Sequence, residues 1–168
     1  MRIANIDPLG DIATSLLRAA AAEVRPLYTL APSEPMLAPA NDPLGARDLY
    51  VAAFLDGSAV GCGALREFDR ITAEVRRMYV RSEHRRKHVG RAILGHLIAA
   101  ARELGYKRLV LETGNKQAPA IALYENYGFR RINPFGEHVN DPTSLCYELP
   151  IDGASERAAR PHRGEPEF

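Results

Sequence analysis

Tryptophan is missing from this 168-residue chain, and cysteine occurs only twice, as Cys62 and Cys146. The two cysteines lie far apart, without the spacing of a disulfide framework or of a cysteine metal site. Both fall in strand-like runs and read as buried packing in a reducing compartment. No apolar run approaches the ~20 residues of a membrane-spanning helix. The N-terminus lacks the basic, apolar and small-residue order of a secretory signal, so a cytoplasmic protein with no membrane partner is expected. An excess of charge is also missing. Lys and Arg number 22 against 21 Asp and Glu, a net charge of +1, which argues against a nucleic-acid partner bound over a broad basic face. His84, His96 and His138 show no ligand pattern, and no metal is expected. There is no Gly-x-x-x-x-Gly-Lys-Ser/Thr, and Gly61-Cys62-Gly63 runs on into strand rather than helix. A nucleotide-phosphate enzyme is disfavoured on those grounds.

What is present suits one globular domain, with 46% hydrophobic and 26% charged residues. The domain is expected over residues 1–150, with a disordered tail over 151–168, because nothing aliphatic beyond alanine occurs after Asp152. Residues 2–6 read as a short strand. Asp7-Pro8 reads as a helix cap and first position, with Leu9, Ile12, Leu16, Ala20 and Val24 at helical spacing. Arg25-Pro26 ends that helix, and five prolines between 26 and 47 predict a long loop. Leu49–Leu55, an Asp56-Gly57 turn and residues 59–65 form a hairpin. A further strand spans 74–80, and helical spacing of Val89, Ile93, Leu97, Ala100, Ala101 and Leu104 follows, ended by Gly105. Residues 108–112 are a buried strand, reached by a parallel crossover. A helix from Ala118-Pro119 to Gly128, a strand at 129–132, a loop at 133–142 and a strand at 144–149 complete the order.

Between the 74–80 strand and its helix sit Arg81, Arg85, Arg86, Lys87 and His88, with Gly90 just inside the helix. Free N–H groups at a helix N-terminus, ringed by cations, suit a phosphate or pyrophosphate. Gly90 would let backbone approach that anion without a Cβ between them. A solvated basic turn has the same composition, and this stretch alone does not decide between the two.

The ordered set Met78-Tyr79-Val80, basic glycine turn, helix, buried strand and Leu123-Tyr124-Glu125-Asn126-Tyr127-Gly128-Phe129 resembles the GNAT superfamily of N-acetyltransferases. The likeness covers residues 1–150 and is strongest over 74–129. Arg85-Arg86-Lys87-His88-Val89-Gly90 matches the family's Gln/Arg-x-x-Gly-x-Gly/Ala, with His88 where the first glycine belongs. Gln117 stands where the family often has asparagine. The resemblance implies a mixed α/β, mostly antiparallel sheet of six to seven strands. It would be splayed between the fourth and fifth and flanked by about four helices. Acetyl-CoA is the implied co-substrate. Its pantetheine arm would lie along Met78, Tyr79 and Val80 like an added strand. Its phosphates would meet Arg85, Arg86, Lys87, His88, Val89, Gly90 and Arg91, with Gln117 and Tyr124 nearby.

The implied reaction is direct acetyl transfer to an amine, a small molecule being the expected acceptor. An alkyl amine has a pKa near ~10.4 and must lose a proton before attack. By resemblance Glu74 is the base. Alternation puts residues 74, 76, 78 and 80 on one face, with Glu74 ~13 Å from Met78, so water would relay the proton. The alternative for Glu74 is a surface ion pair with Arg76 or Arg77. A backbone N–H near Met78 would meet the oxyanion, and Tyr124 would donate to the leaving thiolate. Full transfer from a phenol of pKa ~10 to a thiolate of pKa ~8.5 is uphill by about 2 kcal/mol, so hydrogen bonding or concerted donation is expected. A core aromatic is the other reading of Tyr124. Arg25, Tyr28, Phe135 and His138 are candidates for the acceptor side. Rival functions are a non-catalytic acyl-CoA sensor or scaffold and a protein or peptide N-acetyltransferase. A homodimer is left open.

Overall fold

The computed structural model describes residues 1–28 and 40–153. Residues 29–39, half of the predicted proline-rich loop, and the tail from 154 lie outside the described residues. Strands β1 (Arg2–Asn5), β2 (Leu49–Leu55), β3 (Ser58–Glu67), β4 (Thr72–Val80), β5 (Arg108–Gly114), β6 (Arg130–Ile132) and β7 (Ser144–Pro150) form one sheet. Their order is β1-β2-β3-β4-β5-β7-β6. Among the described residues only β4 and β5 pair in parallel. Helices α1 (Asp11–Val24), α2 (Val89–Glu103) and α3 (Ala118–Asn126) are the three α-helices among the described residues, joined by short 3-10 turns at Arg25–Tyr28, Ser82–His84 and Gly136–His138. Among those residues no helix is long and apolar enough to cross a membrane.

The hairpin turn forms because Asp56 and Gly57 accept φ of 48° and 82°, the double left-handed geometry of a two-residue loop that follows strand twist. Gly105 and Gly128 end α2 and α3 at φ 83° and 93°. Helix α1 begins three residues later than Asp7-Pro8 predicts. The Asp7 carboxylate accepts from the Leu9 N–H at 2.9 Å, and Gly10 N–H donates to the Asp7 carbonyl at 3.1 Å, closing a turn ahead of the helix. Leu9 and Ile12 are therefore exposed, while Ala13, Leu16 and Leu17 carry the buried face.

The two faces of the sheet are unequal. Ala13 and Leu16 of α1 cover Tyr50, Ala52, Cys62 and Ala64 on one face. On the other, Val89, Ile93, Leu94, Leu97 and Ile98 of α2 join Val51, Leu65, Val75, Leu109, Leu111, Tyr124 and Phe129 in the larger core. Ile151 is buried in the same core, and its N–H donates to the Lys107 carbonyl at 2.8 Å. Gly63 lets α2 settle closely, since a Cβ there would lie 2.8 Å from both Ile93 and Met78. The Gly-x-Gly pair is thus a packing feature.

Two irregularities in β4 shape everything that follows. The β4–β5 ladder runs only from Thr72 opposite Arg108 to Val75 opposite Leu111, after which the strands no longer pair. On the other side, Arg76 faces Ala64 and Tyr79 faces Cys62, so Arg77 and Met78 stand against Gly63 alone. This bulge holds Arg77 at φ 58°. It also overturns the expectation that 74, 76, 78 and 80 share a face. Met78 and Val80 pack with Val75 on the α2 face, whereas Tyr79 packs on the α1 face. Glu74 and Arg76 face the α1 side, because an inserted residue reverses strand alternation beyond it.

Candidate functional site

Where β4 runs into α2, the chain presents a row of free donors. Among the described residues no acceptor meets the backbone N–H groups of residues 86–91. Helix α2 has no side-chain cap, and its N-cap, His88, sits at φ 59°, ψ 14°. Arg86 is left-handed as well, at φ 59°. Successive N–H groups turned inward by left-handed residues make a concave anion cradle, reinforced by the positive end of α2. The left-handed backbone at 88 gives a physical reason for glycine at that motif position, since any Cβ is strained there. An added Cβ at Gly90 would make ordinary van der Waals contact, 3.4 Å from Leu123 and 3.6 Å from Val80. Its neighbours show that β4, α2 and α3 converge at this point.

The predicted cations divide into two groups. Arg86 and Lys87 are exposed and make no side-chain hydrogen bond or ion pair among the described residues. Arg91 lies over the Tyr127 ring at 5.2 Å. Arg85 is directed elsewhere: its guanidinium ion-pairs with Glu23 of α1, and its Nε donates to the Val80 carbonyl at 3.0 Å. Tyr79 joins that network, donating its hydroxyl to Glu23 at 2.6 Å. Burial works to raise the Glu23 carboxyl, but the hydrogen bonds from Tyr79 and Arg85 outweigh it and hold the pKa below the ordinary value. Sequence reasoning missed this network because Glu23 is distant in the chain.

Tyr124 is 5% exposed and packs edge-on against Phe129 at 5.9 Å. Burial, helped by the charge of Glu112, pushes its phenol far above the ordinary value of 10.0. The hydroxyl is therefore a proton holder, suited to donating rather than accepting. Gln117 forms the N-cap position of α3, its amide nitrogen close to Gly114. Tyr28 crosses to the same point, its hydroxyl accepting from the Lys116 N–H at 3.1 Å.

On the opposite face, Glu74 is nearly buried, with its Oε1 3.4 Å from His138 Nε2 and its Oε2 3.8 Å from Arg76. His138 sits in the β6–β7 loop, held edge-on to Phe135 at 5.4 Å, and Phe135 in turn packs on Phe68. The sequence offered both residues as candidates but not their contact. The structure brings together Glu74 and His138 on one side, and Met78, Val80, Val89, Gly90 and Tyr124 on the other. Arg25 and Tyr28 are not joined to Glu74.

Cys62 donates to the Arg77 carbonyl at 3.2 Å and receives the Tyr50 hydroxyl at 3.7 Å. Burial raises its thiol to about 11, which leaves it a poor nucleophile. Among the described residues no group of three or more His, Cys, Asp or Glu is placed to hold a metal ion.

Comparison with known proteins agrees with this geometry. Residues 12–129 match the model of the Acetyltransferase (GNAT) family. A Bacillus subtilis protein named as an uncharacterized N-acetyltransferase, YsnE, is 39% identical over 57% of this chain and 65% of its own length. An IAA acetyltransferase of Azospirillum brasilense is 40% identical over 61% of this chain and 67% of its own. The chain thus spans about two thirds of these two relatives. A Klebsiella pneumoniae protein described as an acyl-CoA N-acyltransferase superposes with a TM-score of 0.73 at 30% identity, covering 90% of this chain and 97% of that one. With most of its described length inside the matched region, the chain belongs to the acetyltransferase (GNAT) family.

Proposed function

We propose that this protein transfers an acetyl group from acetyl-CoA to the amine of a small molecule, by direct attack with both substrates bound. One observation carries the reading: the β4–β5 ladder stops at Val75 and Leu111, and β4 leads from there into the unpaired N–H groups of residues 86–91. The parted strands offer unpaired backbone to amides of an extended arm. The cradle ahead of α2 offers donors and positive potential to a diphosphate, with Arg86, Lys87 and Arg91 as charge partners. Both features fit coenzyme A. Arg85 serves instead as a tie between α1 and β4.

Acetyl-CoA, when bound, supplies an activated acyl thioester. The protein's own part is to position, to shield and to move protons. The Met78 backbone N–H, beside the bulge, stabilises negative charge on the acyl oxygen. Tyr124, held neutral by burial, donates a hydrogen bond to the departing sulfur. Glu74, in contact with His138, takes the ammonium proton of the acceptor through water. The likeness to an IAA acetyltransferase of Azospirillum brasilense supports a small acceptor.

The test is thiol release from acetyl-CoA across a panel of amino acids, polyamines, aminoglycosides, aminophosphonates and peptide N-termini, with calorimetry of acetyl-CoA and ATP. Acetyl-CoA binding and amine-dependent thiol release are expected. Binding without release from any amine would favour a non-catalytic acyl-CoA scaffold. Preference for ATP would remove the reading.

A further inference from the structure

The bulge in β4 has an effect on the α1 face that alternation alone would forbid. Consecutive strand residues point to opposite faces, yet Arg76 and Arg77 line the same cleft, together with Arg66, Asn41, Asp42, Tyr50 and Ala64. The cleft is narrow, with about 20 Å³ of free interior, room for one small polar group such as a carboxylate head, the rest of the ligand lying outside it. The left-handed backbone at Arg77 is what swings its side chain to this side.

The three guanidiniums are differently engaged. Arg66 is neutralised by Asp48 at 2.9 Å and also reaches the exposed Asp42 at 3.8 Å. Arg76 spans Glu74 at 3.8 Å and Glu137 at 3.2 Å. Arg77 makes no ion pair among the described residues. Its Nε donates to Asn41 Oδ1 at 3.1 Å and one terminal nitrogen donates to the Ala40 carbonyl at 3.0 Å. Burial and the neighbouring Arg76 charge both weigh against its protonated form, with Tyr50 and Asp42 offsetting part of that. A guanidinium does not shed its proton in a protein, so the charge is retained and under-compensated. The arrangement calls for an anion from outside.

We propose that this cleft receives a carboxylate of the amine acceptor, with Arg77 as its principal contact, making carboxylate-bearing amines of amino-acid type the preferred substrates. With Nε and one terminal nitrogen engaged, the other terminal nitrogen of Arg77 is left to donate to a carboxylate oxygen, a charge-assisted hydrogen bond. The position suits the reaction too. Arg76 lines the cleft and touches Glu74, so the anion subsite adjoins the proposed base. Arg77 directly precedes Met78, the proposed oxyanion donor. The inference rests on reading the α1 face as the acceptor side.

The test is calorimetric binding, in the presence of coenzyme A, of N-acetylalanine, N-acetylphenylalanine and N-acetylaspartate against the corresponding carboxamides and an N-acetyl aminophosphonate. The full chain is compared with Arg77→Gly and Arg77→Asn, two residues that accept the left-handed backbone and so preserve the bulge. At least one carboxylate should bind tenfold or more tightly than its carboxamide, and the preference should fall below twofold in both variants. Equal binding of every acid and amide, a preference that survives Arg77→Gly, or tighter binding of the phosphonate would overturn the proposal. Turnover of amines without carboxylate preference would sink this subsite and leave the transferase reading standing. Carboxylate preference without turnover of any amine would do the reverse.

Discussion

His138 Nε2 lies 3.4 Å from Glu74 Oε1, linking the β6–β7 loop to the paired part of β4. The contact is at the long end of hydrogen bonding, and both side chains are nearly shielded from water, at 14% and 12% exposed. A carboxylate so placed keeps a defined orientation toward an incoming ammonium. Glu74→Gln preserves the shape and removes the proposed base. It should lower kcat by roughly 100-fold or more, with the acetyl-CoA KM within about twofold. His138→Gln should give a smaller loss of the same kind. Steady-state kinetics on both variants checks this, and an unchanged kcat in Glu74→Gln removes the base assignment.

Tyr124 can be tested through its proton. Burial raises its phenol well above 10.0, so the neutral donor persists over the whole working range. Tyr124→Phe should reduce kcat by about 100-fold while leaving the acetyl-CoA Kd unchanged. The sign of the shift adds a second outcome. Because deprotonation needs a pH above the ordinary tyrosine range, any alkaline fall in wild-type kcat below pH 10 should persist in Tyr124→Phe.

Backbone strain at the cradle predicts a gain. His88 holds a left-handed conformation that costs a residue with a Cβ about 1 kcal/mol. His88→Gly should therefore raise the melting temperature by roughly 2–4 °C and tighten acetyl-CoA binding, since backbone can then come nearer the diphosphate. Thermal unfolding with and without the ligand separates the two effects. A lower melting temperature would contradict the strain argument.

The Cys62 thiol bears on whether an acyl-enzyme forms. With its pKa raised to about 11, thiolate is roughly one part in a thousand at pH 8. Iodoacetamide should modify the folded protein slowly at this residue, and Cys62→Ala should retain full kcat at a stability cost of about 1 kcal/mol. Loss of turnover with intact folding in Cys62→Ala would point instead to an acyl-enzyme formed on this thiol.

Much of this architecture is legible in the residues. The α2 stripe, the Asp56-Gly57 turn and the glycines at 105 and 128 carry local signals strong enough to set element type and ends. What escapes is decided at a distance or by backbone alone. Asp7-Pro8 mimics a helix start because a turn uses the same carboxylate-to-N–H chemistry as a cap. The bulge carries no glycine or proline at 77, so nothing in 74–80 announces the reversal of faces. Gly63 across the ladder is the only trace of it. Arg85 looks like a phosphate ligand until Glu23 is folded beside it. The cradle of residues 86–91, by contrast, could be anticipated from its cations and glycine, although its left-handed residues could not.

The short β4–β5 ladder has one more consequence. Just four residue pairs join the two halves of the sheet directly, so the sheet contains a hydrogen-bonding seam that is closed at one end and open at the other. A pantetheine chain entering the open end would act as a stitch. Those amide protons of β4 beyond Val75 and of β5 beyond Leu111 that point into the seam, rather than toward β3 or β7, should then exchange slowly only when it is present. At a hundredfold excess over Kd the stitched form gains about 2.7 kcal/mol, which makes the co-substrate part of the scaffold on which it reacts.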